Sequence, residues 1–311
     1  MMLNESPFHE GEQRVQTCLG VRGQVEPWAR QVVCLHMPEE HRLFFESLPF
    51  IVAAARDPKG RPWATLLVGR TGFVRSPDAR RLAIQARPLP GDALERALTP
   101  GADLGLLGIE LETRRRNRVN GRIGYVDLTT LFFKVEQSYG NCPQYIPPRA
   151  WRRVSEPNQP LPARRGSRLT PAMRAWIRRA DTFFIASGYR GGDGSSVYGM
   201  DASHCGGDPG FVHVKNDSHL VFPDYAGNNY FNTIGNLIMD PRAGLLFIDF
   251  ERGSLLQLTG RTKIDWDAEA TSRFPAARRL VSFVLEEFVE LEAALPLRWS
   301  PATDRNTPDS S

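Results

Sequence analysis

Four short blocks recur in the same order along the chain, and no other feature limits its fold as strongly. Gly72-Phe73-Val74 returns as Gly210-Phe211-Val212, 138 residues later. Gly105–Leu111 (GLLGIEL) returns as Gly244–Phe250 (GLLFIDF) at an offset of 139. Asn120-Gly121-Arg122 returns as Thr259-Gly260-Arg261, again at 139. Phe50–Ala53 (FIVA) matches Phe183–Ala186 (FFIA) at 133, the difference fitting a longer Gly- and Ser-rich loop at 188–199 in the second copy. Such a period excludes a solenoid, whose repeats run about 20–50 residues. It describes a duplicated unit of roughly 110–150 residues.

Within one copy the pattern is mostly strand. Residues 49–55 and 182–188 are apolar runs of strand length. Arg56-Asp57-Pro58-Lys59-Gly60 is a turn by its chemistry, because Pro fixes φ and Gly permits φ > 0. Residues 63–68 and 72–75 read as the next strands, 102–111 and 243–250 as buried strands, and 121–134 and 255–266 as long, partly alternating ones. Residues 92–98 and 229–239 look helical. A helix leads each copy, 38–48 starting at Pro38 and 171–180 with Thr170 as N-cap. The expected fold is mainly β, a small closed or partly closed β-barrel with flanking helices, as two tandem barrel domains. Residues 1–154 form the N-terminal barrel with a degenerate site, 155–168 a Pro-, Gly- and Arg-bearing linker, and 169–300 the C-terminal barrel with the main site. Residues 301–311 read as a disordered tail.

Charge and cysteine content narrow the function classes. Lys occurs only at 59, 134, 215 and 263, so 35 of the 39 basic residues are Arg, an excess that fits a GC-rich genome better than anion binding. A net charge of +4 is too weak to argue nucleic acid by itself. Cys18, Cys34, Cys142 and Cys205 have no metal-ligand spacing. No stretch approaches 18 consecutive apolar residues, so no membrane-spanning helix is expected, and the N-terminal residues lack a signal-type apolar region. The expected location is the cytoplasm, with reduced thiols.

The second copy carries the denser polar chemistry. Asn229, Asn232, Thr233 and Asn236 fall at i, i+3, i+4 and i+7, one face of a helix that Asn228 would cap. An uncharged polar face near free helix N–H groups suits a phosphate. Ser203, His204 and Lys215 sit on neighbouring strands, beside glycines that leave backbone open to a ligand. Asp224 would repel a phosphate, so it ties down its loop or binds a hydroxyl. His213 and His219 read as surface residues, and Cys142 as packing where the chain crosses between copies. In the first copy the matching segment, 91–98, lacks the Asn face. That copy has instead five Arg among residues 114–122, either a basic hairpin tip or a clamp, through Arg115 and Arg116, on the other copy's ligand. A nucleic-acid role for this run is disfavoured by the lack of interleaved aromatics.

The helix leading into PFIVAAARDPKGRPWATLLVGRTGFVR, together with the GLLFIDF and LTGR blocks, resembles the flavin-binding split barrels related to pyridoxamine 5'-phosphate oxidase. SPFHEGE at 6–12, LGLLGIELETRRRNRVNGR at 104–122, NCPQYI at 141–146, DASHCGGDPGFV at 201–212, PDYAGNNYFNTIGNL at 223–237 and ALPLRW at 294–299 resemble a bacterial subgroup with two such barrels. The resemblance implies FMN, with FAD as second choice, bound between the barrels. It also implies an FMN-dependent oxidoreductase of unknown substrate and catalytic residues, supplied with electrons by NAD(P)H or a partner reductase. Asn228, Asn229, Asn232, Thr233 and Asn236 would hold the phosphate. Ser203, His204 and Lys215 would line the ribityl chain or ring, and Arg115, Arg116 and Arg261 would add charge. The alternative is a non-enzymatic carrier of flavin or haem, and behind it a nucleic-acid-binding barrel. Barrels of this size expose strand edges and apolar faces, which is compatible with a homodimer.

Overall fold

A computed structural model describes residues 3, 5–155, 161–192, 194–267, 271 and 274–302. Strands hold 44% of the chain and helices 16%, so the fold is mainly β with flanking helices. The first half opens with three helices, α1 (Glu10–Cys18), α2 (Arg22–Val32) and α3 (Glu39–Ser47). Seven strands follow: β1 (Phe50–Arg56), β2 (Pro62–Val68), β3 (Val74–Asp78), β4 (Arg81–Ile84), β5 (Asp103–Glu110), β6 (Arg115–Val126) and β7 (Leu131–Gly140). Two short strands, β8 (Arg149–Arg153) and β9 (Arg164–Gly166), lead to α4 (Pro171–Arg179). The second half adds β10 (Thr182–Tyr189), β11 (Gly199–Gly206), β12 (His213–Val214), β13 (His219–Tyr225), α5 (Asn232–Met239), β14 (Arg242–Asp249), β15 (Ser254–Asp265), β16 (Ala277–Leu291) and β17 (Leu297–Pro301).

The two halves repeat one strand order. The first sheet runs β2-β1-β5-β6-β7-β4-β3 and the second β11-β10-β14-β15-β16-β13-β12, all neighbours antiparallel. The irregularities repeat as well. A register shift falls between Asn120 and Gly121 in β6 and between Thr259 and Gly260 in β15. At both bulged glycines a Cβ would strike a carbonyl oxygen, that of Lys134 or Val284. The register also corrects the alignment of the first strands. Ala54 pairs with Gly105 and Ala186 with Gly244, so the offset there is 132. The slip of one matters, because it exchanges the two faces of a strand.

The sheets meet through reciprocal contacts. A Cβ on Gly105 of β5 would lie 2.5 Å from the Met200 carbonyl oxygen of β11. A Cβ on Gly244 of β14 would lie 2.6 Å from the Pro62 carbonyl oxygen of β2. The strand registers make Gly105 equivalent to Gly244 and Met200 equivalent to Pro62. Residue i of one copy thus touches j of the other, and j touches i, the pattern of a twofold interface. One core cluster accordingly draws Ile51, Val52 and Leu107 from the first half and Phe184, Leu246 and Val289 from the second. The other is built around Phe183, Phe247 and Phe283.

Four expectations change. Residues 92–98 form turns, not a helix, although Leu94 and Leu98 are buried. Residues 121–134 are not one strand: the Asp127 side chain accepts from Thr129 and Thr130 N–H groups and turns the chain from β6 into β7. Helix α5 starts at Asn232, not Asn229. The linker is partly structured, since β9 pairs with β16 and residues 156–160 lie outside the described set. Pro301 pairs with Arg149, and the remainder of the tail from 303 lies outside the described residues. No described helix is long and apolar enough to cross a membrane.

Candidate functional site

A cavity of about 160 Å³ opens where the halves meet. Its walls come from β6 and the segment after β7 on one side, and from β11, the 226–231 loop and α5 on the other. Strand alternation explains which arginines reach it. Arg116 and Arg118 share one face of β6 and line the cavity, whereas Arg115 points outward. Arg115 pairs with Glu40 at 2.9 Å and lies 4.5 Å over the Phe44 ring. Arg122 lies 3.3 Å from Asp103. The arginine run is therefore not a free basic patch: most of it is paired or buried.

Arg116 is the unmatched charge. Its Nε donates to the Cys142 carbonyl at 2.6 Å and a terminal N–H to the His204 carbonyl at 3.5 Å. No carboxylate among the described residues pairs with it. Burial, with Arg118 beside it, pushes its pKa down to about 10. Opposite stands the start of α5, capped by Phe231 without a side-chain hydrogen bond. The first N–H groups of a helix have no intrahelical acceptor, so these donors remain open at the cavity wall. Asn229 and Phe231 both hold left-handed backbone, φ 60° and 59°. For a residue as bulky as Phe this conformation is costly and is kept only by its surroundings. Here the Arg279 guanidinium lies 4.9 Å over the Phe231 ring, and Arg279 itself is held by Asp224 at 2.7 Å. Asp224 thus anchors its loop, one of the two roles expected.

His204 lines the cavity and is 8% exposed, and neither ring nitrogen has a partner. Burial, reinforced by Arg116 and Arg149, lowers its pKa well below the ordinary value, so the ring is neutral. A neutral imidazole can donate from one nitrogen and accept at the other. Burial likewise pushes the Cys205 thiol up to about 12. Cys142 also lies on the wall, and Tyr145 stacks on Tyr225 at 5.0 Å.

The Asn face divides. Asn228, Asn229, Asn232 and Thr233 line the cavity. Asn236 does not: it is buried against the N-terminal segment, accepting from His9 at 3.0 Å and donating to Ser187 at 3.2 Å. Asn228 caps nothing in α5, and its Oδ1 accepts from the Tyr230 N–H. Thr233 bonds to Ser203 at 2.8 Å, and Ser203 accepts from Arg118. Lys215, Arg115 and Arg261 stand apart from the cavity. Lys215 is on an exposed turn, and Arg261 lies 3.3 Å from Glu286 on the outer face. His213 is exposed as expected, while His219 is half-buried.

Several site residues escaped the sequence reading. Arg118 is buried and ion-paired to Asp201 at 2.7 Å. Its signal was present in the alternation Arg116, Arg118, Asn120 on one strand face. Glu12 and His9 had a local signal too, a capping box at the start of α1. Their reach across to α5 had none. A Cβ on Gly235 would meet the Glu12 backbone nitrogen at 2.6 Å, and one on Gly11 the Gly235 carbonyl oxygen at 2.4 Å, so these helices cross at glycines.

The equivalent place in the other sheet is closed. Strand register maps Ser203, His204, Arg116 and Arg118 onto Thr65, Leu66, Leu255 and Gln257, all fully buried. Gln257 accepts from the Ala93 N–H at 3.1 Å, and Thr65 donates to the buried Asp92, whose pKa burial raises to about 6.

Comparison with known proteins gives one family match. The sequence model described as "Pyridoxamine 5'-phosphate oxidase" matches residues 169–296. No curated protein sequence matches the chain. Among solved structures, a candidate pyridoxamine 5'-phosphate oxidase of Lactobacillus delbrueckii is 16% identical, covering 40% of this chain and 94% of its own, with a TM-score of 0.31. An FMN-binding protein of Syntrophomonas wolfei is 12% identical over 37% of this chain and 82% of its own, TM-score 0.28. The haem storage protein HutZ of Vibrio cholerae is 15% identical over 40% and 95%, TM-score 0.25. At these scores the three add nothing to the family match. That match spans α4 through β16, so residues 169–296 are a domain of the pyridoxamine 5'-phosphate oxidase family.

Proposed function

We propose that the chain is a tandem pair of split barrels, the first degenerate as a site, and that the cavity between them binds FMN in an FMN-dependent oxidoreductase. One observation carries this: Arg116, a half-buried guanidinium with no carboxylate partner among the described residues, shares the cavity with the start of α5, which has no side-chain cap. Together they form a site for a phosphate monoester. The residues present fit the group. Arg116, Asn229, Asn232 and Thr233 would hold the phosphate, and the two unpartnered nitrogens of His204 would meet a group that both donates and accepts. The enclosed space is smaller than the roughly 300–1,000 Å³ usual for cofactor sites, so part of a flavin would remain outside it. Bound flavin supplies hydride or electron transfer. The chain's own residues bind and orient it: Arg118 fixes Ser203 and Asn232, and the Arg279–Asp224 pair fixes Phe231. Electrons would come from NAD(P)H or a partner reductase.

The absorbance spectrum of the purified protein, followed by titration with FMN and FAD, tests this. Flavin should bind, and Arg116→Ala should weaken FMN about 10–100-fold, as expected for a charge-assisted hydrogen bond. Protein that neither carries flavin nor takes up FMN or FAD ends the reading. A second reading, a carrier of flavin or haem without turnover, is favoured by the wall chemistry, since His204 is held neutral and Cys205 holds its proton. It expects bound pigment that NADPH does not reduce.

A further inference from the structure

Behind the cavity lies a smaller space of about 20 Å³, lined by His9, Glu12, Asp201 and Asn236 among others. Asn232 belongs to both walls. Its side chain joins two charged groups, accepting from Arg118 at 3.2 Å and donating to Glu12 Oε1. Arg118 also donates to Asp201 at 2.7 Å. Glu12, Asp201 and Arg118 are each at least nine-tenths buried.

The charges in this cluster do not balance. His9 contributes none: its Nδ1 accepts from the Gly11 N–H at 3.0 Å, which leaves the proton on Nε2, facing Asn236 at 3.0 Å. Tyr139, facing the cluster from β7, is held as a phenol by burial and by Asp201. Two carboxylates therefore share one guanidinium in the interior, where a second uncompensated charge is expensive.

We infer that Glu12 carries the exchangeable proton of this cluster and holds it only part of the time at alkaline pH, and that an anion seated against Arg116 and the start of α5 favours the protonated form, so that ligand binding takes up a fraction of a proton from solvent. The inference rests on the flavin reading, because the anion is taken to be the FMN phosphate. Glu12 is a positioning residue, acting through Asn232. Ionised, it places negative charge one side chain from the N–H groups that meet the ligand. Protonated, it removes that repulsion. Burial, with Asp201 adding to it, raises Glu12 to about 8, which sets the working range.

Calorimetry of FMN binding at pH 8, in two buffers of different ionisation enthalpy, reads the proton directly. A phosphate monoester, with its second pKa near about 6, is already dianionic there and takes up no proton. The full chain should take up about 0.3–0.5 proton per FMN, as expected for a group near its midpoint shifted by about a unit. Affinity should fall several-fold from pH 8 to 9. Glu12→Gln should abolish the uptake and flatten the pH profile. Asp201→Asn should also abolish it, because Glu12 then ionises against Arg118. FMN binding by the wild type without proton uptake overturns the coupling and leaves the flavin reading standing. No FMN binding between pH 6 and 9 overturns both. Urea unfolding without ligand reads the Glu12 proton alone. The wild type should lose stability as pH rises from about 5 to about 8 and level off above that, while Glu12→Gln does not, and identical profiles overturn the Glu12 proton.

Discussion

Replacing Arg118 with Met should cost the fold about 3–5 kcal/mol, the usual penalty for stranding a buried charge. Arg118 is the cation shared by Asp201, at 2.7 Å, and, through Asn232, by Glu12. Without it both carboxyls must be protonated or remain uncompensated, and Ser203 loses a donor. Asp201→Asn should cost clearly less, because Glu12 can ionise and restore one anion per cation. Urea titration of the two variants at pH 7 measures the difference. Equal losses would mean that Glu12 does not substitute for Asp201. The pH trend has a definite sign. Burial raises Glu12 from about 4.5 to about 8, so its protonated form stabilises the fold fully below the unfolded value, and this contribution is lost as pH rises through about 8.

Gly105→Ala and Gly244→Ala should each destabilise by about 1–3 kcal/mol or more, as overpacking does. The new methyl groups would meet backbone, 2.5 Å from the Met200 carbonyl oxygen in one case and 2.6 Å from that of Pro62 in the other. Backbone in a paired strand cannot rotate aside as a side chain can. Both contacts belong to one reciprocal interface, so the double variant should lose less than the sum, because the first methyl already separates the sheets. Strict additivity in thermal or urea unfolding would show two independent contacts instead. Gly23→Ala, in α2 with nothing within 4 Å of its Cβ, should be neutral or stabilising by about 0.5–1 kcal/mol and serves as the control.

The duplicated blocks made much of the fold legible. The GLLGIEL and GLLFIDF runs became equivalent strands, β5 and β14, and the Asn-Gly-Arg and Thr-Gly-Arg blocks became the bulges of β6 and β15. Apolar runs such as Phe50–Arg56 were found because burial on both faces leaves a continuous signal. The leading helices were found through Thr170, which accepts from the Met173 N–H at 3.2 Å, and through Pro38 at the cap of α3. Residues 92–98 misled because Leu94 and Leu98 at i, i+4 mimic a helix face, whereas the segment is a series of turns held by Asp92 and Gln257.

The site was legible by halves. Ser203, Asn229, Asn232 and Thr233 announced themselves as a cluster of small polar residues in a run that would otherwise be apolar or charged. Arg115, Lys215 and Arg261 were plausible by charge alone, and charge alone does not state direction. On β6 a difference of one residue sends Arg115 outward to Glu40 and Arg116 inward to the cavity. Asn236 shares a helix face with Asn232, yet it is occupied by His9, 227 positions away in the chain. By itself the sequence determined most of the elements, the repeat of one strand order and the uncharged polar character of the α5 segment, because these depend on local spacing and residue type. Only the tertiary structure decided which polar groups meet a partner and which remain free. That balance, one guanidinium for two carboxylates behind the cavity and none for Arg116 within it, depends on which distant strands and helices burial brings together.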